Sequence, residues 1–406
     1  MQGVPFMDKK PELLAPAGDL ERLDAAIRFG ADAVYLGGPM LQLRADTAGF
    51  TMAEVAEAAA RAHRAGRKIY VTVNSFVKNG EIALLSDYAR ALYDAGADAA
   101  IVSDLGAICT MKAAVPELEI HVSTQANCLN YAAARHYYDM GAKRVVLGRE
   151  ATLTEIAELR AKTPKELELE AFIHGAMCMS YSGRCLLSAF MNGRSGNRGD
   201  CSQPCRYRYA IAAEGDEGDW YPVFEDSQGT TLLSSRDLNT IDFIEDIIAA
   251  GVTSLKIEGR MKSTYYVATV VNAYRRRLDG TAPKELCRAE LDCASHREYT
   301  TGFYFGEART APAASAGYTQ DAAFIAAVLG EEDGRYVIEQ RNNFRAGDRL
   351  ELLSPNSMGE SFVIGDMKDE NGEAVTYAPH PKQKLWIKSP VKLAAGDILR
   401  RRTEKL

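Results

Sequence analysis

One pattern recurs through the first two thirds of this chain and narrows its fold more than any other feature. A helical stretch ends in Gly, often Gly-Ala, and a short apolar run follows at once. The instances are FGADAVYLGG at Gly30, AGRKIYVTVN at Gly66, AGADAAIVSD at Gly96, MGAKRVVLGR at Gly141 and AGVTSLKIEG at Gly251. Glycine supplies the left-handed cap that stops a helix, and a continuous apolar run reads as a strand covered on both faces. Each instance is therefore the second half of a strand–helix–strand unit. With the runs that lack this preamble, strands are predicted over 13–15, 33–36, 69–73, 100–103, 120–123, 145–147, 169–173 and 255–257. Eight short strands of similar length, alternating with helices and carrying no glycine-rich phosphate turn, predict an α/β fold of the TIM-type (β/α)8 barrel class. An open doubly wound sheet is the alternative.

The rhythm breaks twice. Residues 176–230 hold four cysteines, MNGRSGNRGD and many Ser, Gly and Tyr, which reads as a long insertion at the carboxyl end of the seventh strand, the end where barrels place their active sites. Beyond about residue 280 the pattern changes to short alternating segments such as RYVIEQR, DRLELLS and KLWIKS, separated by EEDG, RAGD, SPNS and DENG turns. The expected organisation is a barrel over 1–280, a linker over 281–317 and a small all-β barrel over 318–406.

Composition limits the partners. The net charge is -7, so no overall field draws the chain to nucleic acid, and a polyanion would have to meet a local basic surface. The start, MQGVPFMDKKPELL, lacks the apolar core of a signal peptide, and no run of about 18 apolar residues occurs, so a cytoplasmic protein without a membrane span is expected. In a reducing compartment, clustered thiols point to metal or redox chemistry rather than to disulfides.

Those thiols are Cys178, Cys185, Cys201 and Cys205, within 28 residues and just after His174 at the tip of the seventh strand. Four soft ligands suit zinc or an iron–sulfur cluster, and the absence of paired C-x-x-C spacing favours a loop-held cluster; four reduced, packed thiols are the plain alternative. Cys109, Cys128, Cys287 and Cys293 are scattered and read as packing residues.

Strand ends add Glu12, Asn74, Asp104, Gln125, Asn127, Arg149, Glu150, Lys256, Glu258 and Arg260, all expected at a common mouth. Lys256 and Glu258 alternate around Ile257 and so share a strand face. With Arg149 and Arg260 they would form a cationic site for a small dicarboxylate metabolite, although a peptide carboxylate or a phosphate would also fit. The candidate catalytic groups are His174, Glu150, Lys256 and Glu258; the candidate substrate-binding groups are Arg149, Arg260, Asn74 and Gln125. For RNA, the basic candidates are Arg194, Arg198, Arg206 and Arg208, then Arg275 to Arg277, then Arg400 to Arg402. His296, Tyr299, Phe303, Tyr304 and Phe305 form an aromatic block that would either stack on bases or pack against the barrel.

Long blocks then carry a family resemblance. EAFIHGAMCMSYSGRCLLS resembles the signature of the U32 peptidase family, the collagenase-like group. PELLAPAGDLERLDAAIRFGADAVYLGG, LKIEGRMKSTYYVATVVNAYR and HREYTTGFYFG are similar to further family blocks, and the terminal β unit resembles that of the family's long members. The resemblance implies a [4Fe-4S] cluster and hydroxylation of tRNA, turning wobble uridine into 5-hydroxyuridine with prephenate as a required metabolite. Hydroxylation of rRNA or another substrate is the nearer alternative. On the resemblance, Cys178, Cys185 and Cys201 map onto cluster ligands. Where some members carry a fourth cysteine, this chain has Asn239, so either Cys205 supplies the fourth sulfur, or one iron is left open or oxygen-bound, or the cluster is lost. The competing reading is a peptidase, which would need Cys178 activated by His174; neither a G-x-S-x-G elbow nor an HExxH motif is present. A non-enzymatic scaffold role is the third. The sequence leaves open whether the chain acts alone or in a homo- or hetero-oligomer.

Overall fold

A computed structural model describes residues 10–43, 49–178, 180–207, 210–212, 220–222, 236–306, 318–355 and 357–403. The eight expected strands form and close. They are Glu12–Pro16, Ala33–Gly37, Lys68–Val73, Ala99–Val102, Glu119–Val122, Arg144–Val146, Glu168–Ala176 and Ser254–Ile257, numbered first to eighth below. Each pairs in parallel with the next in sequence up to the seventh, and the eighth bridges the seventh and the first, with Leu255 opposite both Ala171 and Leu13. Closure rules out the open sheet. The glycines expected to end helices do so at positive φ, from +68° at Gly66 to +106° at Gly30, a region that costs a side chain but not glycine.

Inward-facing residues stack in layers, as in barrels of this class. Leu14, Ala33, Tyr35, Tyr70, Ala99 and Ile101 make one continuous apolar cluster inside the barrel. Below it, at the amino ends of the strands, lies a buried ion network. Arg144 donates to Glu12 at 2.6 Å, to Glu168 at 2.6 Å, to Glu170 at 2.9 Å and to Ser254 at 3.1 Å.

The seventh strand runs six residues further than its pairing with the sixth strand, and its end pairs antiparallel with a short strand, Asp237–Asn239, which brackets the insertion. Tyr299–Thr300 adds to that strand in parallel. Arg297, 1% exposed, fixes this return by donating from Nε and Nη2 to Asp237 at 3.0 and 2.8 Å.

Two compact units result, one of residues 1–23, 31–261 and 297–318, the other of 24–30, 262–296 and 319–406. The boundaries thus differ from those expected. Residues 281–317 are not a plain linker: they include the helix Lys284–Leu291, which goes with the second unit, and the strand Tyr299–Thr300, which goes with the first. The second unit contains the helix Thr264–Leu278 and a seven-stranded antiparallel sheet ordered Ser357–Val363, Arg349–Ser354, Ile398–Arg402, Ala322–Glu332, Arg335–Gln340, Lys384–Ile387 and Met367–Lys368. This half-barrel curls over a core that includes Ile325, Ile338, Phe344, Leu352, Leu385 and Leu399. Among the described residues no helix is long and apolar enough to cross a membrane.

Candidate active site

At the carboxyl ends of the strands the barrel interior turns polar and opens into a chamber lined by Tyr35, Thr72, Asn74, Gln125, Arg149, Phe172, Lys256, Glu258 and Arg260, among others. Three cations and one carboxylate thus face the same space. Lys256 and Glu258 share it, as their alternation predicts. Lys256 donates to Glu170 at 2.7 Å and lies 4.5 Å from the centre of the Tyr35 ring. Burial pulls its ammonium below the usual lysine range, against the opposing pull of Glu170. Arg149 stacks on Phe172, 3.9 Å from the ring centre. Arg260, 8% exposed, donates to Thr72 at 3.0 Å. A side chain at position 37 would collide with the Arg260 guanidinium and the Gln42 amide, so Gly37 is what lets that arginine reach the mouth. Asn74 donates to Ser123 at 3.4 Å, while its buried Oδ1 has no hydrogen-bond partner and faces the chamber wall.

The insertion builds a second chamber beside the first. Its loop is tied down residue by residue. Ser182 donates from N and Oγ to Glu150 Oε1 at 2.8 and 3.3 Å. Gly183, at φ +73°, sits where a Cβ would strike the Gln125 carbonyl. Ser202 N donates to Ser188 Oγ at 3.0 Å, Asn197 Nδ2 to the Cys185 carbonyl at 3.0 Å, and Arg198 to both oxygens of Glu81 at 2.8 and 2.9 Å. These ties bring Cys178, Cys185, Cys201 and Cys205 to one cavity of about 270 Å³. Cys178 is exposed and the other three are half-buried. Burial, and then the neighbouring thiols Cys178, Cys201 and Cys185, push the Cys205 thiol above its usual range. The two chambers share Leu43, Gln125, Arg149 and Glu258, so a molecule in one stands next to a molecule in the other.

Several expected site residues lie elsewhere. Glu12 begins its strand and is therefore at the opposite end of the barrel, bound to Arg144 and Tyr70. His174 lines neither chamber: the eighth strand shifts register between Lys256 and Ile257, and the His174 ring, 1% exposed, packs against Tyr299 with ring centres 5.5 Å apart. Glu150 holds the loop through Ser182 instead of facing the chambers. Asp104 caps the helix Leu105–Ala114 by accepting from Ala107 N. Asn127 takes the left-handed turn after residues 124–126. Asn239 accepts from Ile241 N at 3.1 Å and is not among the residues around the thiols.

The basic candidates also divide. Arg194 pairs with Asp200 and Arg198 with Glu81. Arg275 pairs with Asp279. Arg400 is fully buried, bonded to Glu290 and Glu351, and so is structural, while the partly exposed Arg401 pairs with Asp348 and Arg402 with Glu351. Arg206 borders the thiol chamber. Arg208 lies outside the described residues. In the aromatic block, Tyr304 is buried and donates to the Phe172 carbonyl at 2.6 Å, so packing accounts for it, whereas Phe305 touches Phe243 but stays 63% exposed.

The Arg144 network escaped the sequence reading. Its one trace is the alternation of Glu168 and Glu170 in ELELEAF, which puts both carboxylates on the inner face of a strand whose other face is apolar.

Comparison with known proteins adds identity at this point. Residues 18–312 match Peptidase family U32, and residues 320–400 match the Peptidase family U32 C-terminal domain. The chain is 39% identical over 415 residues to tRNA hydroxylation protein P1 of Bacillus subtilis, covering 99% of this chain and 97% of that one. It is 35% identical over 438 residues to tRNA hydroxylation protein P of Escherichia coli, covering 96% of each. A 23S rRNA 5-hydroxycytidine synthase of Escherichia coli is 38% identical over 293 residues, covering 70% of this chain and 42% of that one. On these matches the chain belongs to Peptidase family U32, in the form that carries the C-terminal domain.

Proposed function

We propose that this protein hydroxylates RNA, and that its target is the wobble uridine of tRNA, converted to 5-hydroxyuridine. The near full-length similarity to tRNA hydroxylation proteins P1 and P supports the RNA class; such a substrate places the protein in the cytoplasm. The observation that carries the reading is the junction of two chambers, one gathering four thiols and the other three cations, through Gln125, Arg149 and Glu258.

In this proposal Cys178, Cys185, Cys201 and Cys205 hold a [4Fe-4S] cluster. The donor set fits: four soft sulfurs line one cavity, the ligand type that iron–sulfur clusters take. Among the described residues no three His, Cys, Asp or Glu groups are placed to hold a single metal ion. The sulfurs around one zinc, each about 2.3 Å from it, would stand closer together than those around a cluster. When bound, the cluster supplies the one-electron chemistry that oxygen insertion requires.

The chain's own groups do the rest. Arg149 and Arg260 grip the carboxylates of a small metabolite, which we take to be prephenate, with the planar, bidentate geometry that guanidinium offers. Phe172 and Thr72 hold the two arginines in place, Asn74 Oδ1 can accept a hydrogen bond from a metabolite hydroxyl, and Lys256, anchored by Glu170, adds positive charge beneath. Glu258, at the junction, is the group positioned to hold or release a proton. The peptidase reading draws less support, since His174 packs on Tyr299 and is not among the residues lining the thiol chamber.

The test is nucleoside mass spectrometry of tRNA from a deletion strain complemented with variants. Wild type restores hydroxylated wobble uridine, whereas Cys178→Ala and Cys185→Ala lose both that nucleoside and the brown colour of anaerobically purified protein. Full hydroxylation with either variant, or an iron-free preparation that cleaves collagen peptides, would overturn the proposal. Full iron content in Cys205→Ala would remove Cys205 from the ligand set.

A further inference from the structure

The insertion exposes large apolar side chains around the thiol chamber. Phe190 is 89% exposed, Leu186 72%, Tyr181 61% and Tyr207 45%. Large apolar side chains exposed this far on one short segment, with Tyr181 in the chamber lining, point to a binding surface. The segment that carries it is held firmly. Asn192 donates to Ser202 Oγ at 2.7 Å, Tyr207 Oη to the Ser202 carbonyl at 3.2 Å, and Ser182 to Glu150. The rings are therefore presented by a fixed frame. Tyr181 and Arg206 also line the chamber itself, and Arg184 is exposed beside them.

We propose that this rim is a clamp for single-stranded RNA, in which Tyr181, Phe190 and Tyr207 stack on the unpaired bases of a loop while Arg184 and Arg206 meet its phosphates. It rests on the RNA-hydroxylation reading and says how the substrate is held. Aromatic faces bind any base through its π surface, and cations set between them follow the backbone, which together make the recognition mode of single strands. Geometry requires it as well. An atom of a base can be modified in an enclosed chamber only if the base leaves its stack, and the lost stacking has to be replaced by the protein. A ring at the chamber's edge, Tyr181, supplies that replacement where the base turns inward. An apolar protein partner is a different occupant, and would make the rim indifferent to RNA.

The experiment uses the full chain, purified anaerobically, with fluorescence anisotropy on two RNAs: a hairpin with an unpaired uridine-containing loop, and the same stem as a blunt duplex. The wild-type protein binds the hairpin more tightly than the duplex. Phe190→Ala and Tyr181→Ala each weaken hairpin binding by about 5- to 150-fold, the range for loss of one stacked base, and leave duplex binding nearly unchanged. Tyr181→Phe keeps the ring and restores affinity. Iron content equal to wild type shows that the chamber is intact. Variants that bind the hairpin as wild type does, or that lose hairpin and duplex binding equally, overturn the clamp. Wild-type protein that binds neither RNA overturns the functional reading on which it rests.

Discussion

The two ends of the barrel are built from the same residue types to opposite ends. At the amino ends of the strands, Arg144 meets Glu12, Glu168 and Glu170 at 2.6 to 2.9 Å, Tyr70 donates to Glu12 at 2.7 Å, and every charge has an opposite charge within reach. At the carboxyl ends, Arg149, Lys256 and Arg260 share a chamber in which Glu258 is the one carboxylate lining it among the described residues. The first arrangement spends its charges on one another, ion pair by ion pair; the second turns three cations toward one shared space. Lys256 links them, since its ammonium lies in the mouth while its partner Glu170 belongs to the network below. The same residue types thus tie strands together at one end and line an open chamber at the other.

The sharpest way to break that comparison is to remove the central cation of the lower network. Arg144→Met takes the guanidinium away from three carboxylates, of which Glu170 is fully buried, and is expected to cost about 3–5 kcal/mol, as loss of one member of a buried ion cluster does. The change reads as a lowered urea midpoint of the barrel unit. The same substitution in the mouth, Arg149→Met, removes one of three converging cations from a ring face and is expected to leave that midpoint within about 0.5 kcal/mol. Equal losses at the two positions would show that the mouth, too, is a structural ion cluster.

The mouth variant has its own signature. Arg149→Met is expected to weaken binding of prephenate by about 10- to 150-fold, the effect of losing charged hydrogen bonds to a carboxylate, measured by calorimetry on the full chain. Arg149→Lys keeps the charge but not the planar fork and recovers only part of the loss. Raising the salt concentration weakens the wild-type interaction less than it would an exposed pair, because the cations are largely buried. Undiminished affinity in Arg149→Met would move the metabolite out of this chamber.

What the sequence made legible follows the range of the interactions involved. Caps and strands are local: a glycine that must take positive φ and the apolar run behind it are neighbours in the chain, so Gly30, Gly96 and the strands after them can be read directly. The four cysteines are legible by type and by closeness in sequence. Lys256 and Glu258 come from the two-residue pleat. His174 fails because the pairing with the eighth strand skips Ile173, so His174 does not continue the alternation from Glu170 and Phe172, and a bulge leaves no mark in one strand's own sequence. Glu12 fails because a strand's two ends look alike until the chain direction through the barrel is known. Arg144 and Glu12 are 132 residues apart, and nothing in either neighbourhood announces the other. Arg400 to Arg402 read as a basic patch because the sequence does not show Glu290 and Glu351 waiting opposite them.

The smallest expected effect concerns pH, and it separates the two ends once more. His121 is fully buried above Arg144, edge-on to Tyr70 with ring centres 4.6 Å apart. Burial, and then the Arg144 guanidinium, hold its imidazole well below the ordinary histidine range. The folded chain therefore keeps His121 neutral while the unfolded chain takes up a proton as the pH falls through about 6.5, and stability declines below that point by at most about 1.4 kcal/mol per pH unit. Glu12 and Glu170 act later. Burial raises both, but Arg144 and Lys256 outweigh it and hold the carboxyls below their usual range, so their contribution is full above about pH 4.5 and is lost under more acid conditions. His121→Phe keeps the ring contact with Tyr70 and removes the titrating group. Urea midpoints taken at pH 7.5 and 5.5 should differ less for this variant than for wild type, with the difference between the two slopes equal to the one proton that His121 refuses. A variant as sensitive to pH as wild type would mean that the lower network accepts a proton when folded, and that its charges are less completely matched than the distances around Arg144 indicate.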